Sequence, residues 1–276
     1  SHHMTLALRK DEFDVIADFL RLRSGLALTE DKLYLIETRL QPIVRAHGMK
    51  DIPEMIARIR AGNLPAPVIT EITEAMTTNE SMFYRDTKPF EYLVKVMIPA
   101  LKEAGRTHIR IWSAACSTGQ EPYSIVMSLK EMGAGLGGMT FEIIATDINE
   151  KVLERARAGI FTQFEVQRGL PITMLVKYFT QQSGNHWALQ PAIKAPVKFM
   201  AMNLLDSYAA LGRFDIIFCR NVLIYFDEKG KAQVLAKLAE NLNPPGFLML
   251  GAAETILSLS DKYKLMGDHR GLYTLA

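Results

Sequence analysis

The sequence predicts an α/β protein in which a parallel, doubly wound sheet follows a small helical bundle. Three observations predict it. Beyond about residue 85, apolar runs of strand length alternate with helical segments, the pattern of strands joined by crossover helices. Before residue 80, every periodic segment has helical spacing. The 276 residues also exceed one typical domain of about 100–150, which leaves room for both parts.

In the first part, Asp11 is a candidate cap for a helix with Phe13, Ile16, Phe19 and Leu20 on one face and a stop at Gly25. Thr29 opens a second helix, with Glu30 and Asp31 in its first turn and Leu33, Ile36, Leu40, Ile43 and Val44 inward. Pro42 should kink it and Gly48 end it. Asp51 and Pro53 begin a third helix that runs to Gly62, and Pro67 starts a fourth with Val68, Ile69, Ile72 and Met76. Four short helices over residues 5–80 predict a bundle.

From 81 to 276 the expected order is helix 89–104, strand 109–113, helix 122–132, strand 141–146 and helix 149–157. Strands 197–202 and 214–219, helix 228–242 and strand 247–251 follow, and 263–266 with 271–275 form an antiparallel edge hairpin. The alternation is interrupted at about 160–196. A helix over 172–179 and a polar turn at 181–185 lead to two strand-like runs, 186–190 and 192–197, which predict a small β insertion. Ser1, His2, His3 and Met4 read as a tag remnant.

Charge narrows the partners. Lys+Arg number 32 and Asp+Glu 30, for a net +2, and residues 1–88 carry 12 basic against 13 acidic side chains. No domain is strongly basic, so a nucleic acid is not the expected partner. No apolar run approaches the roughly 18 residues a membrane helix needs, so membrane insertion is not expected either. Cys116 and Cys219 lack metal-ligand spacing, which predicts a reduced, cytoplasmic protein without a metal site.

Ligands of an open α/β sheet bind beyond the carboxyl ends of the strands. The first such end, Trp112 to Pro122, runs into small residues and Gly119, so a ligand can approach the backbone closely. It lacks the glycine fingerprints of dinucleotide and triphosphate sites, and Glu121 would repel a pyrophosphate. At the second end, Asp147 is placed either to hold ribose hydroxyls or to cap the next helix; together with the first loop, the ribose is favoured. The third end runs from Phe214 to Cys219 and then to Arg220, Asn221 and the phenol of Tyr225. Asn221 as a turn cap and Tyr225 as a packing residue are the alternatives there.

Five motifs carry a resemblance. They are Asn79, Ser81 and Arg85; Trp112-Ser113-Ala114-Ala115 through Ser117-Thr118-Gly119 to Glu121-Pro122-Tyr123-Ser124; Ala145-Thr146-Asp147; Asn203-Leu204; and Cys219-Arg220-Asn221-Val222 through Ile224-Tyr225-Phe226. In order and spacing, from about residue 10 to the end, the chain resembles the CheR family of bacterial chemotaxis receptor methyltransferases. The resemblance implies a class-I methyltransferase-like sheet. It also implies methyl transfer from S-adenosylmethionine to receptor glutamates, giving glutamyl methyl esters and S-adenosylhomocysteine.

By the same resemblance, Asn79, Ser81 and Arg85 form the first cofactor-contacting segment. Gly119 and Glu121 belong to the glycine-loop motif, Asp147 binds ribose, Asn203 and Leu204 lie on the adenine side, and Asn221 and Val222 follow the fourth strand. Arg85 and Tyr225 are expected beside the transferred methyl. Many members have Thr where this chain has Ser81, Glu in place of Gln120 and Ala in place of Cys116.

The implied partner is the cytoplasmic region of methyl-accepting chemotaxis receptors, with Lys32, Arg39 and Arg45 as a docking face or an ordinary solvated one. Ser183 to Trp187 looks like the short form of a hairpin that binds a receptor tether peptide in some members. A tether-independent enzyme is therefore expected, with edge pairing of the tether as the alternative. A carboxylate acceptor suits the residues, because it is already an anion at neutral pH and needs no general base. The rival readings are a class-I methyltransferase on another substrate, which amino-group chemistry would mark by prolines after Asn221, and a non-catalytic adaptor, which absence of Arg85, Asp147 or Tyr225 would mark.

Overall fold

A computed structural model describes residues 6–256 and 258–276; the expected tag remnant lies outside them. The chain separates into two compact units. One reaches to Thr78 and includes Tyr225–Gly230, and the other comprises Asn79–Ile224 and Lys231–Ala276.

The first unit contains α1 (Lys10–Ser24), α2 (Leu33–Ala46), α3 (Ile52–Ala61) and α4 (Ala66–Ala75). Its core is the set of apolar residues with helical spacing, with Ile16, Leu20, Ile36, Leu40, Met55 and Ile72 all at 0% exposure. Burying each such side chain stabilises the fold by about 1.5–3 kcal/mol. Two helix starts differ from expectation. Arg9, not Asp11, is the cap residue of α1, its N–H donating to Glu12 at 2.9 Å; Asp11 lies in the first turn and pairs with Arg9 and Arg60. Thr29 precedes a single 3-10 turn over Glu30–Lys32, so the α-helix proper begins at Leu33 and continues through Pro42. Asp51 does cap α3, accepting from the Glu54 N–H at 2.9 Å. The segment from Tyr225 belongs to this unit through a Leu26–Phe226 bridge and the Ala27 N–H donating to the Tyr225 carbonyl at 2.7 Å.

In the second unit, the helix expected over 89–104 is divided into α5 (Lys88–Tyr92), a π-helical turn (Leu93–Met97) and α6 (Ile98–Glu103). Pro99 has no N–H to give to the preceding turn and its ring crowds that turn; the wider turn, in which Ile98 N–H donates to the Leu93 carbonyl, accommodates it. Next come β1 (His108–Ala114), α7 (Gln120–Glu131), β2 (Thr140–Asp147) and α8 (Glu150–Ala158). The insertion contributes β3 (Ile160–Thr162), α9 (Gln163–Gln167), α10 (Ile172–Tyr178), β4 (Phe179–Gln182), β5 (His186–Leu189) and α11 (Pro191–Lys194). Its strands form a separate sheet in the order β3-β5-β4. The strand expected over 192–197 is instead α11, because Pro191 sits at a first-turn position where its fixed φ starts a helix.

The remainder is β6 (Val197–Ala201), β7 (Phe214–Cys219), α12 (Glu228–Glu240), β8 (Leu242–Leu250), β9 (Tyr263–Leu265) and β10 (Leu272–Leu275). The main sheet has the order β6-β2-β1-β7-β8-β10-β9. It is parallel from β6 to β8, and β10 is antiparallel to both β8 and β9. From β1 the chain moves outward through β2 to β6, then returns to the other side of β1 with β7. That reversal is the switch point at which such sheets bind ligands.

Candidate active site

Strand register gathers the loops that carry the site. Ala114 is level with Thr146 on one side and Cys219 on the other, and Cys219 is level with Leu250. The loops that begin at 115, 148, 220 and 251 therefore leave neighbouring strands at the same edge. Of the sequence-predicted residues, Gly119, Asn221 and Val222 lie on these loops, Asp147 at the tip of β2 and Glu121 in the first turn of α7.

The loop after β1 turns sharply. Ala115, Ser117 and Gly119 all have left-handed φ, at 57°, 52° and 99°. At Gly119 a Cβ would also meet Tyr123 at 3.0 Å and Ala156 at 3.1 Å, so both the backbone and the space require glycine. That bare backbone is the cradle a ligand can approach.

Asp147 is buried, and its two carboxylate oxygens accept the Ser117 and Asn149 N–H groups, each at 2.9 Å. The cap of α8 is Asn149, which accepts from Lys151 and Val152, so the helix does not need Asp147 for that role. These two bonds, one to each oxygen, fix the plane of the carboxylate.

Glu121 is held by the Ser113 hydroxyl at 2.7 Å and by Arg220 Nη1 at 3.1 Å. Burial raises its pKa above the ordinary carboxylate range, against the pull of Arg220, the Ser113 hydroxyl and Arg85. Arg220 is the residue that sequence reasoning missed, although it sits inside a quoted motif. Its side chain is 1% exposed. Besides Glu121 it donates to the Arg85 carbonyl at 2.9 Å and to Asp86 at 2.8 Å, while its Nε has no partner among the described residues. It thus ties the glycine loop to the segment that carries Arg85. That segment is wound tightly, with Tyr84, Asp86 and Thr87 all at positive φ. Such residues cost about 1–3 kcal/mol each and persist only where their surroundings impose them. Here the Tyr84 N–H donates to Ser124 Oγ at 3.0 Å on one side of Arg85, and Arg220 holds the other.

The other predicted residues are placed as follows. Asn79 is joined to the glycine loop through its carbonyl, which accepts from Ser117 Oγ at 2.8 Å. Ser81 is half-buried on the same segment, and the Arg85 guanidinium donates to the Glu80 carbonyl at 3.4 Å. Beyond β6, Asn203 accepts the Leu205 N–H at 3.0 Å, and the Leu204 carbonyl receives Tyr208 Oη and Lys237 Nζ. Asn221 has a left-handed φ of 62°, and Val222 beside it is half-buried. Tyr225 belongs to the helical unit, where Lys32 Nζ stands 5.8 Å from the centre of its ring. Arg39, expected with Lys32 and Arg45 on a docking face or an ordinary solvated one, donates to the Met76 and Thr77 carbonyls at the end of α4. Those carbonyls lack helical partners, and a cation is favoured there.

Both cysteines are buried, and burial pushes their pKa values well above that of a free thiol. They are inert wall residues rather than nucleophiles. Among the described residues no group of His, Cys, Asp and Glu could hold a metal ion, and no helix is long and apolar enough to cross a membrane.

A doubly wound sheet with an antiparallel strand at one edge, a turn at Gly119 after its first strand and an acid at the tip of its second has the architecture of a class-I S-adenosylmethionine-dependent methyltransferase. The comparisons make this specific. Residues 79–272 match the model of the CheR methyltransferase SAM binding domain, and residues 11–77 match that of the CheR methyltransferase all-alpha domain. The chain belongs to the CheR methyltransferase family. It is 41% identical to chemotaxis protein methyltransferase 1 of Pseudomonas aeruginosa, covering 95% of this chain and 96% of that one. Chemotaxis protein methyltransferase Cher2 of Pseudomonas putida is 40% identical, with the same coverage, and chemotaxis protein methyltransferase of Vibrio parahaemolyticus is 37% identical over 97% of each chain.

Proposed function

We propose that this methyltransferase acts on glutamate side chains in the cytoplasmic region of methyl-accepting chemotaxis receptors and forms glutamyl methyl esters. The relatives' names support the receptor as substrate. One observation carries the choice of a carboxylate acceptor: the acids of the site are already engaged. Asp147 holds two backbone N–H groups, Glu121 holds Ser113 and Arg220, and both thiols are kept protonated. An acceptor that must lose a proton would need a base, whereas a glutamate is ionised at pH 7.

The cofactor supplies an electrophilic methyl group on a sulfonium. On our assignment, Asp147 would hold the ribose diol, and the buried carboxylate of Glu121 would suit the cofactor's ammonium. Asn203 with Leu204 borders the adenine, and Asn79, Ser81, Asn221 and Val222 close the remaining sides beside Gly119. The planar guanidinium of Arg85 orients one oxygen of the acceptor, and the phenol of Tyr225 holds the other. Anion and sulfonium lose charge as they react, so water retards the step by solvating the reactants; alignment and dehydration are what the site contributes. The helical unit is assigned to receptor docking, with Lys32 and Arg45 as its cations. The β4–β5 turn is only Ser183 to Asn185 long, which favours methylation independent of a tether peptide.

The test is incubation with methyl-labelled S-adenosylmethionine and receptor cytoplasmic fragments, with and without their last residues. Base-labile label on both fragments is the expected result. Label that resists base would contradict the ester, and label confined to the longer fragment would contradict tether independence.

A further inference from the structure

The turn after β7 is held by a carboxylate that the mechanism above does not use. Glu254 is 9% exposed. Its Oε1 accepts the Asn221 N–H at 2.7 Å and the Gly251 N–H at 2.8 Å, and its Oε2 accepts the Ile224 N–H at 3.1 Å. One side chain thus satisfies three backbone donors, two of them on the turn that contains Asn221 and Val222. That turn is held in a costly shape, since Asn221 is at a φ of 62°. The chain also makes room for the arrangement. A Cβ on Gly251 would lie 2.6 Å from Asn221 Oδ1 and 2.7 Å from Glu254 Oε1. Gly251 is not among the positive-φ glycines, so it is glycine for space alone.

We infer that Glu254 is a positioning residue that clamps the turn after β7 and thereby sets where Asn221 and Val222 meet the cofactor. The inference rests on the assignment of those two residues to the cofactor site. Both oxygens are needed. A carboxamide at this position keeps one acceptor and turns an N–H group toward a backbone N–H, so at best two of the three bonds survive. Removing one bond to a charged acceptor corresponds to a change of about tenfold in an equilibrium that depends on it.

The experiment is calorimetric titration of S-adenosylhomocysteine into Glu254→Gln, with turnover and thermal unfolding measured on the same preparation. The expected result is a dissociation constant raised about tenfold and kcat/KM for S-adenosylmethionine reduced by a similar factor, at a temperature where the variant is fully folded. Gly251→Ala reads the same contact from the opposite side, and serves alone if Glu254→Gln does not fold. The double variant should be no worse than the weaker-binding single one, because both changes break one contact. A lowered unfolding temperature with product affinity within twofold of the parent would overturn the inference and leave Glu254 purely structural. Asn221→Ala separates the two levels. If it weakens binding and Glu254→Gln does not, the clamp is wrong and the site stands. If neither weakens binding, both are wrong.

Discussion

In the helical bundle Ile16, Leu20, Ile36 and Leu40 have no exposed surface, and the charges lie outside; in the Lys10–Asp14 pair the side chains are 86% and 53% exposed. At the carboxyl edge of the sheet the arrangement is reversed. Arg220 is 1% exposed between Glu121 and Asp86, Asp147 is buried on two N–H groups and Glu254 on three. The bundle is held by non-directional burial, so its residues can be exchanged for others of similar size at modest cost. The sheet edge is held by directional bonds to buried charges, which tolerate removal of a partner poorly. Directional bonding is costly to build, and it appears where loops must hold a fixed geometry for chemistry.

The largest effect should follow from breaking that contrast at its centre. Arg220→Met leaves Glu121 and Asp86 without their cation and frees the Arg85 carbonyl. Loss of one partner of a buried pair costs about 3–5 kcal/mol, and denaturant unfolding should show it. The residual folded protein should also turn over at least tenfold more slowly, since the segment that places Arg85 is released. In the bundle, Leu40→Ala should cost about 2–5 kcal/mol through lost burial and a cavity, again read by denaturant unfolding. A loss there far below 2 kcal/mol would show that the bundle core is loosely packed and would blunt the comparison.

The bundle was legible because apolar periodicity encodes it locally, and the alternation of strands and helices encoded the sheet in the same way. Asp51 could be read as a cap because its partner, Glu54, is three residues away. Arg220 could not be read so. Its carboxylate partners are 99 and 134 positions distant, and a buried charge at the end of an apolar strand has no period to reveal it. Glu254 is 33 positions from Asn221 and lies beyond the last parallel strand, in a stretch without helix or strand spacing. The one available signal was a charge directly after the apolar run Ile216–Cys219, at Arg220, with a carboxylate three residues beyond the glycine that follows β8. The division of the helix expected over 89–104 was not legible because helical spacing runs unbroken through Pro99 and does not show the turn that its ring crowds.

A smaller effect concerns pH. Burial raises the Glu121 pKa, so its proton is lost at a higher pH than from an exposed glutamate near 4.3. If the carboxylate form holds the cofactor, affinity should climb with pH through a limb above the ordinary carboxylate range and then level off. Stability runs the other way. The raised folded pKa favours the neutral form, so this group's contribution is full below the unfolded pKa and is lost as pH rises through the folded one. Ser113→Ala removes a bond that favours the carboxylate and should move the affinity limb to still higher pH. Affinity titrations between pH 4 and 8 would show it, and an unmoved limb would detach Glu121 from cofactor binding.

In the proposed function the sheet edge binds the cofactor, while Tyr225 serves the transferred methyl. Calorimetric titration of S-adenosylmethionine into Asp147→Ala and Tyr225→Phe, paired with turnover on receptor fragments, tests it most directly. Asp147→Ala should show no measurable binding, and Tyr225→Phe parent-like binding with reduced kcat. Equal loss of binding in both variants would contradict it.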